Sequence, residues 1–209
     1  TGEHDGRKEI SAILVPVPTA GFTAEPAYNK VGWNASDTHP LSFDDVRVPK
    51  TNVVGKRGEG WKIANTTLEH ERNSLNANAE GTWMRLVRLM NKETVNDVPV
   101  MESPVYRDRL MKLQARALSM KHHGMRMLTC GLKREPPGVA GLVVKLQNCQ
   151  LNFDMAALAI DVMGELGALY DHSKYERERG YWQAYSMFSL GLIIGGGTAQ
   201  IQKNIIAER

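Results

Sequence analysis

Residues 110–127 read LMKLQARALSMKHHGMRM, and within them Leu110, Leu113, Ala117, Met120, Gly124 and Met127 recur at steps of 3, 4, 3, 4 and 3. Steps that alternate about 3.6 residues predict a helix with one apolar stripe, which must be buried against neighbours. Just upstream, Ser103 and Pro104 read as an N-cap followed by proline at the first helical position. Downstream, a helix is predicted after Pro136 and Pro137, with Val143, Leu146, Phe153, Ala157, Ile160 and Met163 on one face. An earlier helix is predicted over 59–91, and two shorter ones over 176–189 and 199–207. Long antiparallel helices joined by short Pro/Gly links predict a helical bundle. The methionines along them read as core filling.

The first quarter of the chain follows a different pattern. Residues 10–17, 22–26 and 41–48 are strand-like runs bounded by Gly, Pro, Asn or Asp. So few strands do not make a stable sheet unless another surface covers them. The predicted fold is therefore mainly α: a four-helix-bundle-like domain at 57–209, preceded by a few antiparallel strands of an incomplete β-domain at 1–56.

Composition narrows the function classes. The 209 residues are 42% hydrophobic and 23% charged, ample for a globular unit. Net charge is only +3, and the basic residues are interleaved with acids, as at Arg107, Asp108 and Arg109, so nucleic acid is not an indicated partner. Cys130 and Cys149 stand apart, with no set of His or Cys at metal-ligand spacing, so neither a metal site nor a disulfide framework is expected. A reducing, cytoplasmic location fits that usage. The apolar run at 188–194 is far short of the roughly 20 residues a membrane-spanning helix needs, so no membrane association is expected. The chain opens on Thr1 with no helix cap or evident domain start, and is read as a fragment or a trimmed chain.

Near the other end, Gly195, Gly196 and Gly197 precede Thr198 and a helix. Glycines let backbone approach a ligand closely, and the free amides of a helix start favour an anion or a polarised oxygen. A bare Gly-Gly-Gly-Thr also reads as a plain turn with Thr198 as N-cap. The lysine and spacing of a phosphate-binding P-loop are absent, so nucleotide hydrolysis is not supported.

The whole ending, GGTAQIQKNIIAER at 196–209, resembles the C-terminal signature of the acyl-CoA dehydrogenase family. A second stretch resembles the family's last middle-domain strands and first C-terminal helix: GWNASDT at 32–38, LSFDDVRVP at 41–49, Gly55, and GEGW at 58–61. Together they cover nearly the whole chain in order. The resemblance implies that the chain corresponds to the C-terminal part of such an enzyme. The family's N-terminal helical domain and the first part of its β-domain, which carry much of the flavin ring's environment, are then missing from it.

What the resemblance implies chemically is FAD-dependent α,β-dehydrogenation of an acyl-CoA thioester, with an electron-transferring flavoprotein as reoxidant and a homo-oligomeric dimer or tetramer as the assembly. Many members place the catalytic glutamate directly before the Gly-Thr of the signature, where this chain has Gly196. Others place it on the first C-terminal helix before an arginine, and Leu68-Glu69-His70-Glu71-Arg72 then identifies Glu71 as the base. The backbone amide of Gly196 still serves as donor to the thioester carbonyl. By the same resemblance Glu69, Arg72 and Gly197 lie at the substrate, and Thr198, Gln200 and Gly164 contact the cofactor; an ion pair is the structural alternative for Glu69 and Arg72. Two departures bear on flavin. The family's arginine followed by Phe-Gly is not found over 91–106, where Arg107 is the nearest substitute. Asp161 and Glu165 also replace the expected Gln and Gly near Gly164 and Gly167. The rival readings are a flavin monooxygenase or nitroalkane-type oxidase of the same fold, and a non-catalytic helical interface fragment or subunit.

Overall fold

A computed structural model describes the chain apart from residues 1, 5, 31, 75–78, 170–172 and 209, and apart from the side chains of residues 4, 7 and 69–74. It divides into two compact units, residues 1–71 and 72–209.

In the first unit, short strands pair antiparallel as two-stranded ribbons: β1 (Gly2–His4) with β2 (Arg7–Glu9), β4 (Phe22–Ala24) with β5 (Leu41–Phe43), and β3 (Ala12–Ile13) with β6 (Val53–Val54). Each expected run shrinks to two or three paired residues: Pro16 and Pro26 cannot donate to a ladder, and the third run turns after Phe43 where Asp45 takes φ 46°. Phe22 sits opposite Phe43 with ring centroids 5.1 Å apart, which fixes that register. Helix α1 (Gly60–Ser74) begins where Gly60 donates its amide to the Ile10 carbonyl at 2.7 Å. A Cβ at Gly60 would stand 2.7 Å from that same oxygen, so only glycine fits.

The second unit is the bundle. Helix α2 (Ala79–Met90) leads into a hairpin, β7 (Thr94–Val95) and β8 (Val98–Pro99), turned on Asn96 and Asp97 at φ of 52° and 65°. Then follow α3 (Pro104–Lys133), α4 (Ala140–Met163), α5 (Tyr181–Ile194) and α6 (Ala199–Ala207). Arg116 pairs with Asp154 at 2.5 Å, and Arg109 pairs with Asp161. Stepping back along α3 thus means stepping forward along α4, so the two helices are antiparallel. Leu110, Leu113 and Ala117 are buried as the opening stripe required, and meet Leu86 and Met90 of α2, Leu151, Met155 and Leu158 of α4 and Trp182 of α5. The fold is thus mainly helical with a few short antiparallel strands.

Three expectations need correction. Ser103 occupies the N-cap position of α3 but makes no side-chain cap bond. Of the face predicted for α4 only Met163 is buried, the others being half-buried, and the rest of its core face is Leu142, Val144, Leu151, Met155, Leu158 and Val162. Helix α4 packs on α2, α3, α5 and α6, so it is apolar nearly all round and has no single stripe. Helix α5 starts at Tyr181, later than expected, because Glu178, Arg179 and Gly180 hold left-handed φ of 50°, 56° and 65°. It then runs through Gly191 to Ile194.

Candidate active site

Residues 195–198 turn the chain from α5 into α6. Helix α5 ends with the Gly195 amide on the Gly191 carbonyl at 2.9 Å. Gly196 and Gly197 then turn the chain at φ of 64° and 99°, and Thr198 is extended at φ −60° and ψ 161°. A Cβ on Gly197 would stand 2.7 Å from Nε2 of Gln202, so the backbone angle favours glycine and a side chain there would displace the Gln202 amide. Thr198 is the N-cap of α6: its Oγ1 accepts the Ile201 amide at 3.4 Å, and its carbonyl accepts the Gln202 amide at 2.9 Å. Amides at Ala199 and Gln200 have no intrahelical acceptor by position in the first turn.

Two buried side chains hold this turn from within the bundle. Gln202, fully buried, donates Nε2 to the Gly196 carbonyl at 2.8 Å. Lys145 of α4, only 3% exposed, donates Nζ to the Ile193 carbonyl at 3.0 Å and to the Gly197 carbonyl. One turn further along α4, burial raises the pKa of the Cys149 thiol, and the charge of Lys145 pulls it the other way. A trans peptide is planar, with its C=O and the following N–H pointing oppositely. With the Gly196 and Gly197 carbonyls drawn inward, the amides of Gly197 and Thr198 point away from Gln202 and Lys145. The turn therefore offers consecutive backbone donors with no side chain at Gly196 or Gly197 to obstruct them, which suits an oxygen-rich or anionic group.

The expected site residues fall into separate places. Gly196, Gly197, Thr198 and Gln200 share this turn. Gly164 caps the other end of α4 at φ 55°. It lies 19 residues beyond Lys145 (164 less 145), or about 28 Å along a helix, so it does not join Thr198 and Gln200 within one chain. The backbone of Glu69, Glu71 and Arg72 runs in α1, and their side chains lie outside the described residues. Asp161 is taken up by Arg109, and Arg107 is exposed. The segment that departs from the flavin motif is folded as the β7–β8 hairpin, and Glu93 beside it is buried and paired with Arg177 at 2.8 Å.

Fit to a flavin is therefore uneven. The donors of the turn, with Thr198 and Gln200, suit it, whereas the region around Glu93 is already closed by its own ion pair. Among the described residues no group of three acidic, His or Cys side chains is placed to hold a metal ion, and no helix is long and apolar enough to cross a membrane. Sequence reading missed Lys145 and gave Gln202 no role. The signal for Lys145 was a lone cation inside the apolar run 142–146. Nothing local distinguishes Gln202 from its exposed neighbour Gln200.

Comparison with known proteins gives the family. The acyl-CoA dehydrogenase C-terminal domain matches residues 58–209. The chain is similar to acyl-CoA dehydrogenase IpdE1 of Mycobacterium tuberculosis, at 29% identity over 96% of this chain and 50% of that protein. It is also similar to the short-chain specific acyl-CoA dehydrogenase of Rattus norvegicus, at 28% identity over 96% and 48%. Butyryl-CoA dehydrogenase from Megasphaera elsdenii shares its fold, with a TM-score of 0.79 at 21% identity, covering 100% of this chain and 53% of that one. The chain thus spans about half the length of the curated relatives it matches. With residues 58–209 matched and the bundle in place around the glycine turn, the chain belongs to the acyl-CoA dehydrogenase family.

Proposed function

We propose that this chain takes part in the α,β-dehydrogenation of an acyl-CoA thioester, supplying the base and the backbone that polarises the thioester. The observation that carries this reading is the glycine turn at the start of α6, whose carbonyls are occupied from inside by Gln202 and Lys145. FAD, when bound, supplies the acceptor for the β-hydrogen as hydride. Thr198 and Gln200 are the residues that hold it in this chain, while Gly164 enters the reading only as a contact to a flavin shared with a second copy in a dimer or tetramer. Glu71 removes the α-proton onto its carboxylate. Burial of such a carboxylate beside substrate brings its pKa toward the working range. As the proton leaves, negative charge develops on the thioester oxygen, and the amide of Gly196 donates a hydrogen bond to it. Arg72, Glu69 and Gly197 border the substrate. An electron-transferring flavoprotein is the reoxidant.

A second reading is favoured by the closed Glu93–Arg177 pair and by the use of Asp161 by Arg109 where flavin contacts were expected. In it, the chain is a subunit that supplies helices to a flavin-bearing partner. A monooxygenase or nitroalkane-type oxidase has no such observation behind it. The experiment is anaerobic addition of an acyl-CoA to the flavin-loaded enzyme that contains this chain. Bleaching of the flavin absorbance supports dehydrogenation; a flavin that stays oxidised, followed by oxygen uptake without acyl-CoA turnover once air is admitted, rejects it. A chain that purifies colourless and takes up no FAD supports the subunit reading.

A further inference from the structure

We propose that Lys145 and Gln202 are positioning residues, which fix the two peptide planes on either side of Gly197 and so aim the backbone donors of the glycine turn. The proposal rests on the reading of that turn as the thioester contact: the amides aimed directly are those of Gly197 and Thr198, and the Gly196 amide, read as the donor to the thioester, adjoins the first of the two fixed planes. Burial of these two groups is costly, and that cost shows what they do. Gln202 is fully buried, and its Oε1 finds no hydrogen-bond partner among the described residues. An unsatisfied buried oxygen costs about 1–3 kcal/mol, so an apolar side chain would serve packing better. What glutamine adds is the Nε2 donor on Gly196, 2.8 Å away. Lys145 is nearly as buried, and a buried ammonium likewise costs several kcal/mol unless its donors are used.

Closing the C-terminus of α5 would need only the bond to Ile193. The second Lys145 bond goes past the helix end to Gly197, and Gln202 takes the carbonyl one residue before. Two costly groups, from α4 and α6, thus converge on consecutive carbonyls of a segment whose glycines would otherwise move freely. Donors held in place need no reorganisation when charge develops on the substrate, which is where backbone amides gain their effect.

Nuclear magnetic resonance on the chain itself tests this without requiring turnover. In the unaltered chain, the N–H residual dipolar couplings of Gly197 and Thr198 should be those of rigid backbone. In Lys145→Met they should lose at least about half their magnitude, while those of α4 and α5 hold. Lys145→Arg, which keeps donors, should recover part of the loss. Couplings that stay unchanged in Lys145→Met overturn the proposal. If that variant does not fold, the Lys145 ammonium protons of the unaltered chain decide: slow exchange with contacts to the Gly197 α-protons supports it, and exchange as fast as a surface lysine overturns it. In the flavin-loaded enzyme, Lys145→Met should lower kcat by about tenfold, less than the 10²–10³ of deleting a donor outright, with KM moving under about twofold. An unchanged kcat overturns the positioning role. If the unaltered enzyme turns over no acyl-CoA, the proposed reaction fails, and the couplings still decide the turn.

Discussion

Gly196 and Gly197 both hold left-handed backbone, yet they should tolerate a side chain unequally. At φ 64° Gly196 sits in the left-handed well, where alanine costs about 1 kcal/mol. Gly197, at φ 99°, lies beyond that well, and its Cβ would press on Gln202. Gly197→Ala should therefore lose at least about 2 kcal/mol in urea unfolding, and Gly196→Ala about half that; equal losses would contradict the geometry of the turn. The cysteines give a second test at this scale. Burial disfavours the Cys149 thiolate, so its pKa is raised, while Cys130 is partly exposed. Since only the thiolate is alkylated, iodoacetamide near pH 8 should label Cys130 first and leave Cys149 unmodified until the chain unfolds. Labelling of both at one rate in the folded chain would show the Lys145–Cys149 region to be open.

Among the elements, α3 makes the sharpest stability statement. Its N-cap residue Ser103 makes no cap bond, so Ser103→Ala should cost a few tenths of a kcal/mol, well short of the ~1 kcal/mol of a working cap. Thermal melts distinguish the two. The stretch before α5 should be far more sensitive. Arg177 pairs with buried Glu93, and Arg85 pairs with Glu178 at 2.6 Å while lying 3.4 Å over the Tyr181 ring. Arg177→Met leaves Glu93 buried without its partner and should cost about 1–3 kcal/mol, reduced from a fully buried pair because Arg177 is 43% exposed. Helix α3 was legible because one face is wet and one dry, so its period survives in the sequence. Helix α4 was legible as a helix but its buried face was not, because four helices surround it and erase the period. The start of α5 was hidden for another reason: Glu178 and Arg179 adopt left-handed backbone that their residue types do not announce. In the site, Thr198 announced its cap through residue type and position, whereas the bonds of Lys145 and Gln202 depend on tertiary placement and left no spacing to read.

At the scale of the whole molecule, α3 and α5 each carry several apolar side chains that the bundle does not cover: Met125, Leu128 and Leu132 on α3, and Leu190 and Ile194 on α5. Exposed apolar surface of this extent favours association. Sedimentation at micromolar concentration should give a dimer or tetramer, and Leu128→Glu with Leu132→Glu should shift it toward monomer; a monomer in the unaltered chain would oppose the oligomeric reading. In the proposed reaction, proton abstraction, for which side-chain-free Gly196 has no group, is carried by Glu71. The direct measurement is the single-turnover rate of flavin reduction by an acyl-CoA, under anaerobic conditions, in the flavin-loaded enzyme bearing Glu71→Gln. Flavin and thioester should bind as before, with reduction slowed by at least about 10²-fold; reduction at the unaltered rate would contradict the assignment of Glu71 as base.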